Sequence, residues 1–293
     1  MSENALMLHV RPEFVNETLQ VAEKVDVARE LTLVERIANI NAVRKMSILL
    51  GLVVIWQLYT TVFDVEPLLF PDFTSTAAAM WDALADGTLF EKVWISIKVL
   101  LMGYAAGLAA AALFLIFAVS TRIGSDFLST LTAMFQPLPA ISLLPLAMLW
   151  FGLGTPSLIF VTIHSVLWAV ALSTHVGFMG VSDTLRMVGR NYGLRGVPYI
   201  ALILVPAAFT SILTGLKIGW AFAWRTLIGA ELVFGAASGD GGLGWYVYEN
   251  SENLDTPQVF AGLFTVIVVG LLVENVIFRR VEISTVTKWG MMR

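Results

Sequence analysis

Charged side chains inside an apolar stretch are the first candidates for chemistry in this chain. Arg225 and Glu231 both fall within the apolar run from about Ala207 to Phe234. A charge there is costly and must face protein or water. Six residues apart, the pair sits about 120° out of alignment on an ideal helix, so a direct intrahelical bridge is not expected. Arg225 could attract an anionic solute or pair with another helix, and Glu231 falls near the outer boundary of its span. Pro137, Pro139 and Pro145 form a second group. Proline lacks an N–H, and the carbonyls it frees at membrane depth are tolerated where they are buried in protein or face a wet cavity. A pathway-lining broken helix and a packed kink both fit these three residues.

Material for catalysis or metal binding is thin. The chain has no cysteine, which removes disulfides, thiolate metal sites and a cysteine nucleophile. His9, His164 and His175 are scattered, and the last two read as satisfied residues of a helix. No Ser, His and Asp are linked by spacing into a nucleophilic set, and no G-x-x-x-x-G-K-[ST] phosphate loop occurs. The glycine-rich run 239–244 reads as a surface turn. No cofactor or metal is expected in this chain, and nothing in it suggests nucleic acid.

The elements that must carry these residues follow from composition. Of 293 residues, 57% are hydrophobic and 14% charged, with a mean hydropathy of +0.79. A soluble chain carries about 25% charged residues, so the solvent for most of this surface is lipid. A helix needs about 20 apolar residues to cross a bilayer. Six segments qualify: Met46 to Phe63, Ile95 to Ser120, Phe127 to Leu153, Ser157 to Met179, Ala207 to Phe234 and Gln258 to Phe278. The reading is an all-α integral membrane protein with a six-span domain over 46–280, an N-terminal tail over 1–45 and a C-terminal tail over 281–293.

Lys and Arg excess marks the inner side of a membrane. With the N-terminus inside, 14 of the 18 basic residues lie on inner segments: six in the tail, then Arg122, Arg186, Arg190, Arg195, Arg279, Arg280, Lys288 and Arg293. The outer loops hold Lys92 and many acids, among them Asp64, Glu66, Asp72, Asp82, Asp86 and Glu91. Both termini are therefore placed in the cytoplasm, with the chain in the cell (inner) membrane. The tail shows no secretory signal. Its apolar residues, such as Val15, Leu19 and Val34, suit an interfacial amphipathic helix or a solvated one. Lys98 and Lys217, near span ends, suit snorkelling to headgroups. Gly103 and Gly107 form a G-x-x-x-G pair for close helix packing, while Trp94, Trp150, Trp220 and Trp224 read as anchors or packing.

Between the fourth and fifth spans lies 181–206, VSDTLRMVGRNYGLRGVPYIALILVP. Ser182 or Asp183 can cap a helix, Gly193 can break it, and a second short helix follows. A bent helix pair with one apolar face suits docking into a partner's groove.

This loop resembles the coupling loop of binding-protein-dependent ABC importer permeases: Glu-Ala-Ala, three residues, Gly, nine residues, Ile-x-Leu-Pro. Met187, Val188 and Gly189 take the first three places, Gly193 the glycine, and Ile203, Val205 and Pro206 the last ones. Met187 replaces the acidic residue. Pro137-Leu-Pro-Ala-Ile-Ser-Leu-Leu-Pro145 with Leu-Trp-Phe-Gly-Leu-Gly154, Phe70-Pro71 with Thr76 and Trp81, and Gly219-Trp-Ala-Phe-Ala-Trp-Arg225 running to Glu231 resemble the nitrate, sulfonate and taurine branch. The resemblance implies a type I (MetI-like) permease that hydrolyses nothing itself. Its implied partners are two cytoplasmic ABC ATPases that use ATP and Mg, a second permease copy forming a homodimer, an external solute-binding protein and the lipid bilayer. It also implies alternating access for a small anion such as a sulfonate, taurine or nitrate. The residues alone leave open an ATP-independent channel or ion-coupled transporter, for which Glu231 and Glu274 are the available acids, and a membrane-embedded enzyme.

Overall fold

A computed structural model describes residues 40–234 and 241–287. The tail helix expected in 1–45, apart from its last residues, lies outside the described residues, as do 239–240 and the end of the C-terminal tail. The described residues are helical, without a strand. Contacts divide the chain into two units, Met1–Ile55 and Trp56–Arg293. Helix α1, Asn41–Val62, begins in the first. There Leu49, Leu50 and Ile55 are all more than half exposed, as suits a lipid-facing surface.

The second unit continues with α2 (Phe73–Ala85), α3 (Thr88–Ser120) and α4 (Arg122–Phe135). Then come α5 (Ala140–Phe151), α6 (Thr155–Met179), α7 (Asp183–Asn191), α8 (Gly196–Ala207) and α9 (Phe209–Phe234). Helices α10 (Leu243–Glu252) and α11 (Thr256–Val286) complete it. Four helices, α1, α3, α6 and α11, are long and apolar enough to cross a bilayer. The pairs α4–α5 and α8–α9 bend by 90° and 84°, giving six spans when each pair counts as one.

The bends have local causes. Pro137 and Pro139 stand between α4 and α5, where neither can donate to the preceding turn. Pro145 does not interrupt the span as expected. It sits in the first turn of the α-helical part of α5, where a missing N–H is harmless. The second bend falls at Ala208, just after Pro206.

Helix α6 is the hub: 67% of its apolar window is buried, against 22% for α11. Helix α3 approaches it through the G-x-x-x-G pair. A Cβ on Gly103 would lie 2.6 Å from Thr162, and one on Gly107 2.7 Å from Val166. In lipid such close packing holds helices together in place of the hydrophobic drive. Helix α9 packs on α6 as well, and the Tyr104 hydroxyl of α3 donates to the Leu216 carbonyl of α9 at 3.0 Å. Lys217 does not snorkel freely; it pairs with Glu282 of α11 at 2.5 Å. Trp220 and Trp224 are buried packing residues, whereas Trp94 and Trp150 are exposed.

An aromatic cluster fixes the segment ahead of α2. The Trp56 indole donates to the Pro71 carbonyl at 2.9 Å and stacks on Phe264 of α11 at 5.6 Å. Asp72 then caps α2, accepting from the Ser75 backbone N–H at 3.1 Å. Hydrogen bonds from Ser75, then Thr74 and Gln57, hold its carboxyl at about 2 against an ordinary 3.8.

Candidate functional site

Three groups of residues lie along the α3–α6–α9 core. The first is the loop at the C-terminal end of α3. Helix α7 starts at Ser182, which makes no side-chain cap bond, with Asp183 in its first turn. Arg186 anchors it to the end of α6, donating to the carbonyls of Val181 at 3.0 Å and Phe178 at 2.5 Å. A cation is favourable at that helix C-terminus. Gly193 turns the chain with φ +74°, a left-handed conformation that favours glycine. The chain then folds back so that Gly189 meets α8. A Cβ on Gly189 would lie 2.9 Å from both Ile203 and the Tyr199 ring. Gly189, Gly193 and Ile203 thus form one bent helix pair, with Pro206 at the end of α8. Met187, Val188 and Tyr192 are exposed, Tyr192 to 82%.

The second group lines a cavity of about 320 Å³ at the break between α4 and α5. Pro137 and Pro139 form part of its wall, with Phe135 before them. Helix α6 contributes His164, Ser165 and Trp168, and α9 contributes Phe222, Arg225 and Thr226. Phe135 and Trp168 stack at 5.2 Å with an interplanar angle of 11°. The Arg225 guanidinium lies 5.4 Å above the Phe222 ring, a cation–π distance, and its Nε donates to the Ala221 carbonyl at 3.1 Å. Lys217 and Glu282 form the only ion pair among the described residues, so Arg225 has no carboxylate partner among them; it is exposed and borders both this cavity and a second hollow toward α11 that Glu274 also lines. Ser165 donates to the Thr226 hydroxyl at 2.8 Å. His164 is not satisfied as expected: both ring nitrogens are buried without a hydrogen-bond partner, as is the Trp168 indole N–H.

Pro145 and Glu231, grouped with Arg225 by the sequence, do not line this cavity. Glu231 belongs to the third group, near the N-terminal end of α3. It is buried and accepts from the Ser96 hydroxyl at 2.9 and 2.8 Å and from the Gly244 N–H at 2.8 Å. The Leu243 N–H donates to Ser96 at 2.8 Å. A Cβ on Gly242 would come 2.3 Å from the Ser96 hydroxyl. Gly241–Gly244 are therefore buried rather than a surface turn, and their small size lets the start of α10 seat on α3 and α9.

The cavity residues carry a signal that the sequence reading passed over. His164 and Trp168 are four apart on α6, and Phe222, Arg225 and Thr226 fall at i, i+3 and i+4 on α9. Each set shares a helix face inside an otherwise apolar span.

Comparison with known proteins agrees with this architecture. The chain is 28% identical over 224 residues to SsuC, a permease protein assigned to aliphatic sulfonates transport in Escherichia coli (strain K12), covering 76% of this chain and 84% of that one. It is 26% identical over 229 residues to the taurine transport system permease protein TauC of the same strain, covering 76% and 82%. It is 27% identical over 192 residues to the nitrate import permease protein NrtB of Synechocystis sp. (strain ATCC 27184 / PCC 6803 / Kazusa), covering 66% and 68%. The profile of the binding-protein-dependent transport system inner membrane component matches residues 93–281, more than half of the chain. That match takes in the cavity, the bent loop and the Ser96–Glu231 contact, and the chain belongs to this family of ABC transporter permeases.

Proposed function

We propose that this chain forms the solute pathway of an ATP-driven importer and works by alternating access. Two copies would enclose the pathway, with two cytoplasmic ABC ATPases docked on 181–206 and an external binding protein delivering the solute. The N- and C-termini and the α7–α8 loop then face the cytoplasm, in line with the distribution of basic residues. The observation that carries the reading is the α7–Gly193–α8 bend. Its exposed residues, Met187, Val188 and Tyr192, lie in the register of the family's coupling loop. Docking there biases two states only if the loop makes different contacts in each. The aliphatic sulfonate, taurine and nitrate permeases among its relatives favour a small anion as solute, and Arg225 gives the cavity the matching charge.

The test is gentle affinity purification from native membranes, followed by uptake in liposomes. An ABC ATPase should co-purify in about equal amount, and uptake should need ATP. Gly193→Pro forces φ negative and removes the Gly193 N–H bond to Arg190, 2.9 Å in length. It should abolish uptake while solute binding by the external protein persists. Solute uptake without ATP would favour an ion-coupled transporter or channel instead.

A further inference from the structure

Arg225, without a carboxylate partner among the described residues, borders a cavity whose wall also carries the aromatic rings of Phe135, Trp168 and Phe222. We infer that this cavity is a binding subsite for organic monoanions with a flat apolar body, so that the permease itself selects solute. The inference rests on the transport reading above.

Among the described residues, Arg225 is the only ionisable group lining the cavity apart from His164. A guanidinium presents a planar fork of donors that matches an oxyanion head. One fixed cation balances one charge, and a dianion would bring a second charge with no partner in an apolar span. The rest of the wall suits a different part of the solute. Phe135 and Trp168 form a parallel stack, and Phe222 lies under the guanidinium. At about 320 Å³ the cavity falls in the range of small-molecule sites, roughly 300–1,000 Å³. An inorganic oxyanion held by Arg225 would leave the aromatic wall bare. A ring carried behind the anionic head would cover it and stack there.

A hydroxyl in the wall points the same way. The one Ser165 hydroxyl proton lies within reach of the Val161 carbonyl at 3.2 Å and the Thr226 hydroxyl at 2.8 Å; when it points to Thr226, that residue keeps its own proton for an acceptor in the cavity. An acceptor oxygen of the solute answers the Thr226 hydroxyl in that arrangement.

The full-length chain in lipid nanodiscs, titrated by calorimetry with benzenesulfonate and methanesulfonate, tests this without any variant. Ring stacking and burial should make benzenesulfonate bind about tenfold tighter. Phe135→Leu should erase that preference while leaving methanesulfonate within about twofold of wild type, since a twofold change is under half of one tenfold step. Arg225→Gln should remove binding of both. Equal wild-type affinities overturn the subsite, as does a preference that survives both Phe135→Leu and Phe222→Leu. ATP-dependent uptake with the two sulfonates bound alike rejects the subsite and keeps the importer. Preference for benzenesulfonate with ATP-independent uptake does the reverse.

Discussion

Ser96 joins three helices through one hydroxyl. Its hydroxyl donates to Glu231 of α9 and accepts from the Leu243 N–H of α10, all within a site closed to solvent. Ser96→Ala removes both contacts and leaves the Leu243 N–H buried without a partner. Such a group costs about 1–3 kcal/mol, so the melting temperature of the purified protein should fall. Methanesulfonate binding at the cavity should persist, because no residue of this contact lines it; an unchanged melting temperature would deny Ser96 its anchoring role. Asp72 is a residue-scale switch of another kind, lying outside the spans. Its carboxyl sits at about 2 when folded against 3.8 ordinarily. The cap's charged advantage is therefore present above the ordinary value of 3.8 and is lost as pH falls through about 2. Asp72→Asn keeps a capping acceptor without titrating. Thermal melts should show wild type ahead of Asp72→Asn at neutral pH and level with it near pH 2. A gap that stays constant with pH would place the stabilisation elsewhere.

Among elements, α7 and α8 have the least margin for change. Gly189 leaves no room for a branched side chain beside Ile203 and Tyr199, so Gly189→Val should prise the pair apart. Arg190 and Arg195 flank the turn and are both exposed. Trypsin should then cleave there several-fold faster than in wild type, because local opening governs proteolysis. Gly189→Ala should fall between the two, since the atoms it meets belong to side chains that can shift. Equal cleavage of all three proteins would show that the pair is not held through Gly189. The sequence made α7 and α8 legible because a cap, a glycine and a hydrophobic run follow one another along a single stretch. The six spans were legible for the same local reason, being runs of apolar residues. The roles of Pro145 and Lys217 were not. A proline at the start of a helix and one within it look alike in sequence, and Glu282 lies 65 residues from its partner. The cavity was hidden more deeply. Periodicity assigns His164, Trp168 and Arg225 to helix faces, yet only packing brings those faces onto the break after Phe135.

At the scale of the whole molecule, the three groups are strung along α3. Ser96 and Ser120 are separated by 24 residues of continuous helix, roughly 36 Å at 1.5 Å per residue. The Glu231 contact marks one end and the bent loop meets the other, where Val119 and Ser120 face Arg195 and Tyr199. The cavity lies between, on the middle of α6. On the proposed reading, this places the solute site between the docking loop and the opposite membrane face, as alternating access needs, because neither end then has to carry both tasks. The absence of cysteine from the sequence makes every engineered thiol a unique reporter of this arrangement. Tyr192→Cys, on the exposed loop, should react with a membrane-impermeant maleimide only in inverted vesicles. Trp81→Cys, on α2 and 71% exposed in the wild type, should react only in intact spheroplasts. Reaction of both from one side would reverse or abolish the proposed orientation. Thr226→Cys then reports on the cavity. In the assembled transporter it should label from one side without nucleotide and from the other when ATP hydrolysis is blocked. Labelling from the same side in both conditions would leave a fixed vestibule, and with it a channel-like pathway rather than an alternating one.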